Sequence, residues 1–131
     1  MRTDAELLDA LLVALAVGDV DAVGPLLTDD AEYVNPSYAM EAGTRKGREA
    51  VLTAVRALID TFELSDVETN YEPVEGEEGR TLLTWRGPMR MRRFGGALPN
   101  DGAMLIDREG DLISRIAWFR EADEARAAAA D

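Results

Sequence analysis

The spacing of apolar residues changes once along this chain, and that change limits its architecture more than any other feature. Leu7, Leu8, Leu11, Leu12 and Leu15 recur at helical spacing, as do Val51, Leu52, Val55, Leu58, Ile59 and Phe62. From Val67 onward the period becomes two, with Val67, Thr69 and Tyr71 alternating with Asp66, Glu68, Asn70 and Glu72. A period near 3.6 marks a helix with one buried face, and a period of two marks a strand. Helices first and a run of strands afterwards imply an α+β domain.

Local signals place the ends of these elements. Thr3 and Glu6 have the spacing of a capping box, which predicts a helix over 3–17 ended by Gly18. Asp19 can cap a shorter helix running through Leu27, with Asp29 and Asp30 in a turn before a strand at 31–35. Pro36 stops that strand, and 36–47 reads as a polar loop leading into a strongly amphipathic helix at 48–62. Further strands are expected at 81–91, 102–107 and 111–119, with turns at 75–79 and 94–100. The tail after Arg120 is rich in Ala and Glu, so it is either a short helix or a frayed end. The economical packing is a curved mixed or antiparallel sheet wrapped around the long helix, leaving a cone whose mouth admits a ligand.

Composition narrows the chemistry. The 131 residues show no linker and no repeat, so 1–131 reads as a single domain. There is no cysteine and no histidine. That removes disulfides, a thiol nucleophile, the commonest general base and the commonest transition-metal ligand. Glu75, Glu77 and Glu78 form a solvated turn more readily than a calcium site, and no metal is expected. Ser37 lacks the context of a nucleophilic serine, and no glycine loop has a dinucleotide-binding pattern, so no cofactor is expected. A net charge of −12 opposes nucleic acid and anionic membranes as partners. No apolar run approaches the ~20 residues of a membrane span. The opening MRTDAELL lacks the regions of a signal peptide, which makes a cytoplasmic location the expectation.

Four segments carry a family resemblance: LLTDDAEYVNP (26–36), EAGTRKGREAV (41–51), LLTWRGPMR (82–90) and DREGDLISRIAWF (107–119). In order and spacing they resemble the nuclear transport factor 2-like superfamily, and its SnoaL-like branch in particular. The resemblance implies that superfamily's cone-shaped, cystatin-like fold but no single reaction. Where the similar steroid isomerases carry a catalytic aspartate before a proline, this chain has Asn35 and Pro36. Asn accepts no proton near neutral pH, so that base is missing. The positions similar to their oxyanion-hole tyrosine and protonated aspartate are Leu11 and Gly102. Tyr33 and Asn35 also resemble the water-holding pair of limonene-epoxide hydrolases, and Arg86 resembles their arginine. Pro88 and Ala117 stand where those enzymes place aspartates.

The candidate site follows from both lines. Tyr33 and Asn35 lie two apart on one strand, so they share a face as polar groups of the cone or as buried groups serving the backbone. Simple alternation over 82–92 puts Leu83, Trp85, Met89 and Met91 on the apolar face and Arg86, Arg90 and Arg92 outside. The resemblance turns Arg86 inward instead, and a bulge at Pro88 would reconcile the two. On the last strand Ile113, Arg115, Ala117 and Phe119 oppose Leu112, Ser114, Ile116 and Trp118. The family register turns the Arg115 face into the cone, yet the Trp118 face is the more apolar. If both hold, a second copy of the chain covers Ile116 and Trp118, and the protein is a homodimer. Trp85, Met104 and Phe119 are candidate walls, or plain core. No catalytic residue emerges. The expected role is binding of an apolar small molecule with a polar or anionic end, with cofactor-free isomerase, cyclase or hydrolase chemistry suiting the fold. The alternative is a non-catalytic dimeric interaction module.

Overall fold

A computed structural model describes residues 3–35, 43–65, 67–74, 78–87, 89–93, 97–98, 101–119 and 121–130. Pro36, Ser37, Asp66, Glu75, Glu77 and Pro88, singled out above, lie outside the described residues.

The first helix, α1 (Asp4–Val17), begins on a reciprocal cap. The Thr3 hydroxyl accepts the Glu6 N–H at 3.1 Å, and the Glu6 carboxylate accepts the Thr3 N–H at 3.2 Å. Two of the orphan donors of the first turn are thereby satisfied. Leu7, Leu8, Leu11 and Leu15 are buried, and Gly18 ends the helix at φ 76°, a left-handed conformation that glycine adopts without strain. Asp19 caps α2 (Val20–Val23) by accepting the Ala22 N–H. A 3-10 turn at Gly24–Leu26 follows, so this helical stretch ends before Leu27.

Strand β1 (Leu27–Asn35) starts four residues earlier than its hydrophobic pattern indicates. Asp29 and Asp30 lie on it and not in a preceding turn. Arg48 holds this irregular start: its guanidinium donates to the Leu27 carbonyl at 2.9 Å and pairs with Asp29 at 2.9 Å. Within the stretch read as a loop, β2 (Gly43–Lys46) pairs antiparallel with β1, setting Asn35 opposite Gly43. Lone polar residues of this kind carry no alternation from which to read a strand.

Helix α3 (Arg48–Thr61) buries Val51, Ala54, Val55 and Ile59. Its C-terminal carbonyls are taken by Arg92, whose side chain donates to the Ile59 carbonyl and whose N–H donates to that of Thr61. A cation there also suits the helix dipole. The chain continues through β3 (Phe62–Glu63), β4 (Glu68–Pro73) and β5 (Arg80–Arg86). The single strand expected over 81–91 is divided. After Arg86 the Gly87 N–H is taken by the Asp101 carboxylate, and β6 (Met89–Met91) pairs with β3 in a separate small sheet with β7 (Ala97–Leu98).

The final hairpin is β8 (Gly102–Glu109) and β9 (Leu112–Phe119). The large sheet runs β2-β1-β9-β8-β5-β4, antiparallel except for the parallel β1–β9 pair. It is a mixed, curved sheet, and the fold is α+β as expected. One face carries Leu83, Ile106, Ile113 and Ile116 against α1 and α3. The other carries Leu82, Ala103, Leu105 and Ala117 and is covered by α4 (Ala122–Ala130) through Ala125 and Ala129. The tail is therefore a docked helix. Among the described residues no helix is long and apolar enough to cross a membrane.

Candidate ligand cavity

An irregularity in β9 decides which side chains face the helices. Opposite β8, Asp107 aligns with Arg115 but Arg108 aligns with Ile113, so Ser114 is an extra residue. A bulge of this kind reverses the parity of a strand. Ile113, Ile116 and Trp118 consequently all join the helix-covered core, and Ala117 and Phe119 join the cluster under α4. This corrects the expected inward orientation of Arg115 and Phe119. Arg115 sits on the α4 side of the sheet, 3.8 Å from the Glu32 carboxylate. It also removes the motive for a homodimer through Ile116 and Trp118. Ile116 is 3% exposed within the chain's own core, and Trp118 packs beside it.

Between the helices and the sheet lies a cavity of about 240 Å³. Helix α1 contributes Leu12, Val13, Leu15 and Ala16, and α3 contributes Leu58. Leu83 and Trp85 of β5, Met104 of β8 and Trp118 of β9 form the sheet side. Leu64, Ser65, Val67 and Thr69 complete the wall. Val13, largely exposed at the surface of α1, marks the open side. Trp85 and Met104, proposed as walls from the sequence, are brought together here. No Asp, Glu, Lys or Arg is among the described lining residues.

Tyr33 and Asn35 stand elsewhere. Tyr33 is 6% exposed and packs into the inner core, its ring 5.9 Å from that of Trp118. Burial pushes its phenol pKa well above the ordinary value, against the opposing charge of Arg45. Trp118 also opposes the rise, although its indole nitrogen does not meet the geometry of a hydrogen bond to the phenol. Asn35 is half-buried at the end of β1, on the edge shared with β2. Neither residue is among those lining the cavity. Arg86 is exposed, opposite Glu68 in the β4–β5 pair, and lines a separate polar groove with Glu68, Asp101 and Glu121. Its outward position matches the simple alternation over β5 and not the inward turn implied by the epoxide hydrolases.

The floor of the cavity holds an aromatic pair. Trp85 and Trp118 meet edge to face with centroids 5.0 Å apart and planes at 71°. Gly102 makes room for this pair: a Cβ at that position would lie 2.7 Å from Trp85 Cε2 and closer still to another ring carbon. Sequence reading missed this partnership. Gly102 and Trp85 are cross-strand neighbours, which becomes visible only once β5 and β8 are in register.

The SnoaL-like domain family matches residues 8–116. The chain belongs to the SnoaL-like family. No curated protein matches it. Solved structures similar to this SnoaL-like chain share its fold at low identity. A Xanthomonas campestris protein of unknown function with a cystatin-like fold is 18% identical, with a TM-score of 0.72 over 90% of each chain. A protein from Catenulispora acidiphila with a ketosteroid isomerase-like fold, in complex with trimethylamine, is 17% identical. Its TM-score is 0.70, over 91% of this chain and 88% of that one. A Burkholderia pseudomallei nuclear transport factor 2-like protein of unknown function is 13% identical, with a TM-score of 0.70 over 95% of each chain. These likenesses establish the nuclear transport factor 2-like, cystatin-like architecture.

Proposed function

We propose that this SnoaL-like protein binds a small apolar molecule in the cavity between α1, α3 and the sheet. The observation that supports this most is an open space of about 240 Å³ walled by aliphatic and aromatic side chains. Largely apolar pockets with few polar groups are the usual small-molecule sites of folded domains. The described lining offers only Ser65 and Thr69 as polar side chains besides the two indoles. None of them exchanges a proton readily near neutral pH. The described walls can therefore bind, orient and desolvate a ligand, and none of the described lining residues is suited to general acid–base catalysis.

A thermal-shift screen of terpenoids, aromatic hydrocarbons, steroids and fatty acids tests this. A ligand at about 100 times its dissociation constant adds about 2.7 kcal/mol, which moves the melting temperature by several degrees. Ala16→Phe, filling the space from α1, should abolish the shift. If no compound shifts the native protein, or if hits survive Ala16→Phe unchanged, the cavity is not the binding site.

A further inference from the structure

We infer that the ligand is neutral and limited to about ten non-hydrogen atoms, and that the pairing of Trp85 with Gly102 sets this limit. The inference rests on the cavity being the ligand site. A dry apolar cavity of about 150 Å³ admits benzene, so about 240 Å³ has room for roughly ten atoms, the size of two fused rings.

Neutrality follows from the walls. The described lining holds no charged side chain. Both arginines that could have met an anion are elsewhere: Arg86 in the polar groove and Arg115 beside Glu32. The indole nitrogens of Trp85 and Trp118 are buried with no hydrogen-bond partner and expose almost no surface. The rings therefore present carbon to the cavity. A carboxylate entering this space would lose its water and meet no cationic partner among the described lining residues, only the hydroxyls of Ser65 and Thr69.

The size limit follows from the floor. Trp85 is 8% exposed, wedged between Trp118 and the bare backbone of Gly102. Its indole occupies the space where a side chain at 102 would project. Here a ring fills that space and raises the floor of the cavity. An added methyl at 102 must displace the indole, since its three nearest atoms all belong to the Trp85 ring, and Trp85 also lines the cavity.

Equilibrium dialysis with naphthalene, 1-naphthoate, phenanthrene and progesterone tests this on the native chain and three variants. Naphthalene should bind, 1-naphthoate at least about 100-fold more weakly, and progesterone not measurably. Gly102→Ala should weaken naphthalene at least about tenfold, and the double variant Gly102→Ala, Trp85→Phe should restore it, because the smaller ring no longer meets the methyl. Trp85→Phe alone should admit phenanthrene about tenfold more tightly, which keeps the test open if Gly102→Ala fails to fold. If 1-naphthoate or progesterone binds the native chain as tightly as naphthalene, the inference is overturned while ligand binding stands. The same holds if Trp85→Phe leaves phenanthrene unchanged. If none of the four compounds binds, the cavity assignment falls and the inference with it.

Discussion

Tyr33 shows how a single polar group is constrained by its burial. Its hydroxyl lies inside the core, and desolvation raises its pKa above the ordinary tyrosine value near 10. The unfolded chain therefore releases this proton before the folded chain does. The linked stability is fully present below about pH 10 and is lost as pH rises toward the folded value, by at most about 1.4 kcal/mol per pH unit. Urea unfolding from pH 8 to 11 should show this loss in the native protein, and Tyr33→Phe should flatten it. Superimposable profiles would mean that the phenol reaches water. Asn35 follows Tyr33 on the same face by alternation, and both were legible as a polar pair on one strand. Their distance from the cavity was not, because the share of the face covered by α3, β2 or empty space depends on the other elements.

At the scale of elements, α1 is the part most directly encoded by its own residues. The reciprocal Thr3–Glu6 cap and the buried Leu7, Leu8, Leu11 and Leu15 are both local patterns. Thr3→Ala should lower stability by about 1 kcal/mol, read as a shift in urea midpoint with unchanged slope. An unchanged midpoint would show that the first turn frays in solution. Helix α4 is the opposite case. Nine residues rich in alanine are too few to hold a helix alone in water. Ala125 and Ala129, buried on Leu82 and Leu105, supply the packing that keeps it formed. From the sequence alone a frayed end was as consistent as a helix.

For the whole molecule, the decisive feature is that both faces of the central strands β5, β8 and β9 are covered within one chain. Trp118 belongs to the inner face, packed against Trp85 and Tyr33. Trp118→Glu should therefore act as a core lesion, destabilising by about 3 kcal/mol or more through a buried unpaired charge and lost packing. Sedimentation of the native protein and denaturant unfolding of the variant check this together. A native dimer that dissociates into stable Trp118→Glu monomers would restore the interface expected from alternation. The net charge of −12 also bears on the ligand at this scale. It repels anions at long range, whereas a neutral hydrocarbon approaches without that barrier.

The amino-acid sequence alone determined the order and type of most elements, the cap of α1, the amphipathic α3 and the SnoaL-like α+β architecture. The elements rest on periodicity and capping, which act between residues close in the chain, and the SnoaL-like architecture on the order and spacing of four segments that resemble that family. Tertiary structure decided the orientation of the late strands. The extra residue at Ser114, the division of the chain after Arg86 and the parallel pairing of β1 with β9 arise from contacts between distant segments. Alternation shows that a strand has two unlike faces but not what covers each. Here α4 covers the face under Ala117, so both faces are apolar and the contrast between them carries little information. The Gly102–Trp85 contact is of the same kind: a glycine whose role is set by a side chain from the neighbouring strand has no signature in its own segment.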